Sequence, residues 1–109
     1  MQLELRIGDV DWNEILRNYV ERRLKFALGR FGGRVGRVVV RAGARAPGEN
    51  HCRISAEILP FGRVVVQETD HDLFAAIDRA TGRIGRKFGR ELMRVREANT
   101  GRESIRLAA

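Results

Sequence analysis

Thr69-Asp70-His71-Asp72 holds the residue types best suited to chemistry in this chain of 109 residues. Paired carboxylates can serve as general acid and base, and a histidine beside acids can join a metal shell. The spacing argues against both. Asp70, Asp72 and Asp78 stand where a helix begins, and suit capping and the positive end of the helix dipole. His51 and Cys52 are adjacent in an alternating stretch, so their side chains point to opposite faces and do not readily share one ion. Gly29-Arg30-Phe31-Gly32-Gly33 is glycine-rich, but it follows a helix and lacks the Lys-Ser/Thr of a phosphate loop. The expectation is a non-enzyme with no catalytic residues, no metal site, no cofactor and no small-molecule substrate.

The remaining chemistry is charge. The net charge is +7, and 19 of the 21 basic residues are arginine. Residues 1–78 hold 12 basic and 11 acidic residues, whereas residues 79–109 hold 9 and 3. A body near balance thus carries a strongly positive last segment, the pattern expected of a polyanion binder with nucleic acid as the default partner. At 100° per residue, Leu73, Ala80, Ile84, Phe88, Leu92 and Val95 fall within about 60° of Ile77. Arg79, Arg83, Arg86, Lys87, Arg90 and Arg94 fall between about 180° and 280°. One helix face should pack on the protein and the other should present six cations. Gly82, Gly85 and Gly89 lie between the stripes, where they allow close packing on another helix or close approach of a phosphate backbone.

The elements that position this ladder follow from periodicity. Gln2–Ile7 alternates as a half-buried strand, with Leu3, Leu5 and Ile7 on one face. Asp11 with Glu14 reads as a capping box, with Val10 and Ile15 as its hydrophobic staple. The helix that follows should run to about Arg30, bury Trp12, Leu16, Tyr19, Val20, Ala27 and Phe31, and end at Gly32-Gly33. A strand through Val38, Val40 and Ala42 comes next, then a turn or short loop over Ala44–Asn50. A strand burying Cys52, Ile54, Ala56 and Ile58 leads to a hairpin turn at Pro60–Gly62 and a fourth strand, Arg63–Glu68. Thr69 with Asp72 should cap the last helix. The order β-α-β-β-β-α implies an α+β, two-layer sandwich, a four-stranded mixed sheet with both helices on one face. Its first two strands should be parallel. Residues 1–96 form one domain, and residues 97–109 are expected to be a flexible tail.

The opposite sheet face is expected to be open to solvent and to carry Arg6, Arg37, Val39, Arg41, Arg53, Ser55, Glu57, Val65 and Gln67. None is aromatic, which disfavours base stacking there and favours recognition through backbone charge. No apolar run approaches a membrane span, and the N-terminus lacks a secretory pattern. The single cysteine fits a reducing cytoplasm and a role as a small core hydrophobe.

Three features together resemble a family: the β-α-β-β-β-α order, Tyr19–Phe31 (YVERRLKFALGRF), and the stretch ETDHDLFAAIDRATGRI. They are similar to the ribosome hibernation-promoting factors and ribosome-associated inhibitors, also called sigma-54 modulation proteins or S30EA-like proteins. The family signature Asp-Met-Tyr-Ala-Ala-Ile-Asp is matched by Asp72-Leu73-Phe74-Ala75-Ala76-Ile77-Asp78. Members usually carry Leu-Glu-Arg-Gln-Leu or similar where this chain has Arg83-Ile84-Gly85-Arg86-Lys87. The resemblance implies a double-stranded-RNA-binding-domain-like fold. It also implies a translation inhibitor that occupies the mRNA/tRNA channel of the small ribosomal subunit in stress or stationary phase. The implied RNA-binding residues are Arg22, Arg23, Lys25 and Arg30 on the first helix. On the last they are Arg79, Arg83, Arg86, Lys87, Arg90 and Arg94. The implied partners are the small subunit and its rRNA, bound by a cytoplasmic short form, a monomer without a C-terminal dimerisation domain. A general structured-RNA-binding module and an adaptor modulating a transcription factor are the rival readings.

Overall fold

A computed structural model describes residues 1–7 and 13–108, with side chains described for 1–6 and 13–97. Strand β1 (Gln2–Ile7) is followed by helix α1 (Glu14–Leu28) and a 3₁₀ segment (Gly29–Arg34). Then come β2 (Val35–Ala46), β3 (Glu49–Ile58), β4 (Arg63–Asp70) and helix α2 (Leu73–Ala108). The sheet order is β1-β2-β3-β4. β1 and β2 are parallel and the other two pairs antiparallel. This is the expected two-layer α+β arrangement.

The alternation that marks the strands also builds the core. Val38, Val40 and Ala42 of β2, Cys52, Ile54, Ala56 and Ile58 of β3, and Val64 and Val66 of β4 are all buried. They meet Leu16, Val20, Leu24 and Leu28 of α1 and Ala76, Ile77, Ala80, Ile84, Phe88 and Leu92 of α2 in one cluster. Leu24 and Leu28 belong to the α1 stripe but were not in the expected set. Burial pushes the Cys52 thiol up to about 12, which keeps it neutral and unreactive in the core.

Several boundaries differ from expectation. Asn13 caps α1, its side-chain oxygen accepting the Leu16 N–H at 2.8 Å. The proposed cap at Asp11, the staple residue Val10 and the stripe residue Trp12 lie outside the described residues, while Ile15 is 76% exposed. The helix gives way to a 3₁₀ turn after Leu28, and Gly32, at φ 55°, swings the chain toward β2. Such a φ, with ψ −129°, is open to glycine and to little else.

β2 and β3 extend further than expected, so the Ala44–Asn50 loop shrinks to a turn at Pro47-Gly48. β4 likewise reaches Asp70 because β3 offers partners that far: Asn50 pairs with Asp70 and His51 with Thr69. Thr69 is therefore strand, and Asp72 caps α2 alone by accepting the Phe74 N–H at 3.0 Å. Nor does α2 stop at residue 96. It continues as helix to Ala108, through a stretch with no proline, although Asn99-Thr100-Gly101 in it are weak helix formers.

Candidate nucleic-acid interface

The two helices are joined at Asp78. Its carboxylate accepts a hydrogen bond from the Tyr19 hydroxyl, and Arg23 Nε lies 3.3 Å away as an ion pair. The Tyr19 ring meets Phe74 edge-on, with centroids 5.0 Å apart. Hydrogen bonding to Asp78, with burial second, holds the Tyr19 phenol above its ordinary value. Further along, Gly85 sits against the α1 backbone: a Cβ there would lie 3.0 Å from the Ala27 carbonyl oxygen. At Gly89 it would lie 3.3 Å from the Phe31 ring. These two glycines serve close helix packing. Gly82 does not, because a Cβ there would meet only the Arg86 guanidinium, at 3.5 Å.

Along this seam runs a groove. One part, about 390 Å³, has Arg23, Phe26, Arg30, Gly82 and Arg86 among its walls. The next, about 650 Å³, adds Phe31, Arg90, Met93 and Arg96. Arg23 projects from α1 and Arg30 from the 3₁₀ segment that follows it, so the two reach the groove from consecutive elements and not from one helical face as their sequence spacing suggests. Arg86 and Arg90 are one turn apart on α2, where like charges repel. Neither has an ion-pair partner among the described residues. Folding would not select such convergence, whereas a polyanion would neutralise it.

The ten sequence-predicted cations thus divide. Arg23, Arg30, Arg86 and Arg90 converge on the groove. Arg79 and Arg83 turn toward the edge strand, pairing with Asp70 and with Glu68 respectively. Arg83 Nη1 also donates to the Gln67 carbonyl at 3.3 Å, and Lys87 donates to the Val65 carbonyl at 2.9 Å. These contacts cover the free edge of β4. Both ion pairs are half exposed on the arginine side, so each is worth no more than about 1 kcal/mol and can yield to a phosphate. Arg22 and Lys25 are exposed without lining the groove, and Arg94 pairs with Glu91. The acids contribute less to the helix dipole than their sequence position suggests. Only Asp72 caps; Asp70 lies in β4 and Asp78 is engaged with α1.

Among the groove residues that the sequence reading missed are Phe26, Met93 and Arg96. Phe26 is 86% exposed on α1, about 200° from the buried Leu24. On the helical wheel of α1 it stands apart from the core stripe of Leu16, Val20, Leu24 and Leu28. Arg96 lines the far end of the groove, beyond the ladder. Among the described residues no group of three or more His, Cys, Asp or Glu could hold a metal ion. No described helix is long and apolar enough to cross a membrane.

Comparison with solved structures finds the N-terminal domain of Protein Y from Thermus thermophilus. It is 29% identical, with a TM-score of 0.73 over 83% of this chain and 98% of that one. A ribosomal subunit interface protein from Coxiella burnetii has the same fold. It is 12% identical, with a TM-score of 0.72 over 85% of this chain and 99% of that one. No curated protein matches significantly. Residues 3–96 match the family described as sigma 54 modulation protein / S30EA ribosomal protein, and the chain belongs to that family.

Proposed function

We propose that the protein is a non-catalytic ribosome-binding factor of the hibernation type. In this reading the groove between α1 and α2 grips rRNA of the small subunit, in the channel that mRNA and tRNA otherwise occupy. Translation stops because the channel is filled. The observation that carries the reading is the convergence of Arg23, Arg30, Arg86 and Arg90 on one groove, in a chain of this family. Arginines on a rigid two-helix frame contact phosphates and position the protein without reading bases. Phe26, exposed within the groove, supplies a face on which an unpaired base can stack. The protein acts as a cytoplasmic monomer, and the other cations of both helices add to the field that steers it to the ribosome.

Sucrose-gradient sedimentation of lysate tests this. Wild type should travel with small subunits or whole ribosomes and come off as salt rises, with a log–log slope of roughly −0.7 to −0.9 per phosphate contact. Arg86→Glu with Arg90→Glu should leave the protein at the top of the gradient with its melting temperature nearly unchanged. Wild type that sediments free at low salt overturns the reading. Binding to naked structured RNA but not to ribosomes favours a general RNA-binding module instead.

A further inference from the structure

The face of the sheet away from the helices is not simply solvated. Arg6, Arg41 and Arg53 occupy directly paired positions on three adjacent strands: Arg6 opposite Arg41, and Arg41 opposite Arg53. Neighbouring strands lie about 4.8 Å apart, so three guanidinium groups stand in one row across the sheet. Arg37 and Arg63 flank the row, and the five arginines ring a shallow depression of about 280 Å³ floored by Val39. The face has its own acids. Glu4 pairs with Arg6 and with Arg37, and Glu57 accepts the Arg37 backbone N–H at 2.8 Å. Among the described residues, five arginines stand against two glutamates on this face. Arg41, Arg53 and Arg63 have no ion pair or hydrogen bond among the described residues.

Like charges directly opposite each other across strands cost stability. A surface built for solubility alone intersperses the two signs. Arg41 and Arg53, directly opposed and without an ion pair among the described residues, therefore point to an external anion. The depression is open and holds no aromatic side chain, so it suits the phosphates of a nucleic-acid backbone and gives no platform for bases. We infer that the open sheet face is a second nucleic-acid backbone site, with Arg41 and Arg53 at its centre. It lies on the opposite side of the domain from the interhelical groove. The short dimensions of the molecule are 24 and 18 Å. A protein of that thickness with a cationic surface on each side can bridge two nucleic-acid segments. The site adds to the groove reading but stands on separate residues.

The test is fluorescence anisotropy of the full chain with an RNA duplex of about 16 base pairs, the span of a small double-stranded-RNA reader, across a salt series. Four proteins are compared: wild type, R41Q/R53Q, R86E/R90E and the quadruple variant. R41Q/R53Q should bind at least about tenfold more weakly at low salt, with a log–log slope shallower by about 2. Its melting temperature should hold or rise, because like-charge repulsion is relieved. The binding left in R86E/R90E should disappear in the quadruple variant. R41Q/R53Q that matches wild type in affinity and slope overturns the inference, as does wild type that does not bind the duplex. A large fall in melting temperature overturns it too, by making the row structural. Pyrophosphate alone binding saturably in an R41-dependent way, with duplex affinity unaffected, would make this a small-anion site and also overturn it. Undiminished binding by R86E/R90E alongside weakened R41Q/R53Q would instead refute the groove and leave the sheet site standing.

Discussion

Asp78 follows the apolar Ala75-Ala76-Ile77 in the family motif, and its position in the chain suggests a dipole role. Its partners say otherwise: the Tyr19 hydroxyl donates to it and Arg23 lies beside it, both 55 or more residues away in sequence. Periodicity along one helix cannot reveal a contact with another, so this role was illegible before the fold. The same holds for Arg79 and Arg83, whose engagement depends on β4 acids that no helical wheel contains. The Tyr19–Asp78 bond can be read directly, because Tyr19 is the only tyrosine. Ionising the phenol removes its donor and sets two anions together, which raises its pKa in the folded protein above 10.0. A raised folded pKa means the bond stabilises fully below about pH 10 and is lost as pH climbs through the folded value. An ultraviolet absorbance titration should therefore give a midpoint above 10.0 for wild type, moving back toward it in Asp78→Asn. The same variant should cost about 1–2 kcal/mol at neutral pH. An unshifted wild-type midpoint would show that the two helices are not joined this way.

At the scale of elements, the strands were legible because one buried face imposes a period of two. Val38, Val40, Ala42, Cys52, Ile54, Ala56 and Ile58 are all buried as their alternation requires. Element ends were less so, since Asp11 and Asn13 are equally good caps two residues apart and local chemistry does not rank them. The end of β4 is set by how far β3 reaches, a property of the pair. The glycines of α2 divide the same way. All three fall between the stripes, yet only Gly85 and Gly89 meet α1 or the segment after it. Gly85→Ala would press a methyl group to 3.0 Å from the Ala27 carbonyl, and a backbone oxygen has little room to give. We expect a loss of about 1–3 kcal/mol. Gly82→Ala meets only the end of a flexible arginine and gains helix propensity, so it should stabilise by about 0.5–1 kcal/mol. Denaturant midpoints of the two variants should move in opposite directions. Both falling together would mean that α2 packs on α1 over its whole glycine stretch.

Over the whole molecule, the sequence showed where the positive charge is concentrated along the chain but not how the fold deploys it. The excess in the last 31 residues suggested a single cationic face. The fold instead opens a groove between two helices and leaves a row of arginines on the far side of the sheet. Such a molecule is suited to filling space between polyanionic walls, and a filler inhibits by occupancy. From Arg86 to Arg96 the α2 wall of the groove extends about 15 Å, enough to touch more than one phosphate at once. Multiple simultaneous contacts give slow release and a strong dependence on salt. Under the proposed function, in vitro translation should therefore fall linearly with added protein and reach its floor near one protein per ribosome. Initiator tRNA and mRNA bound beforehand should protect, since they hold the same channel. Raising salt within the range that ribosomes tolerate should relieve the block in wild type, and Arg86→Glu with Arg90→Glu should inhibit little at any ratio. Inhibition at a small fraction of one protein per ribosome would mean turnover and sink the occupancy mechanism. Inhibition indifferent to the order of tRNA addition, after full equilibration, would place the protein outside the channel.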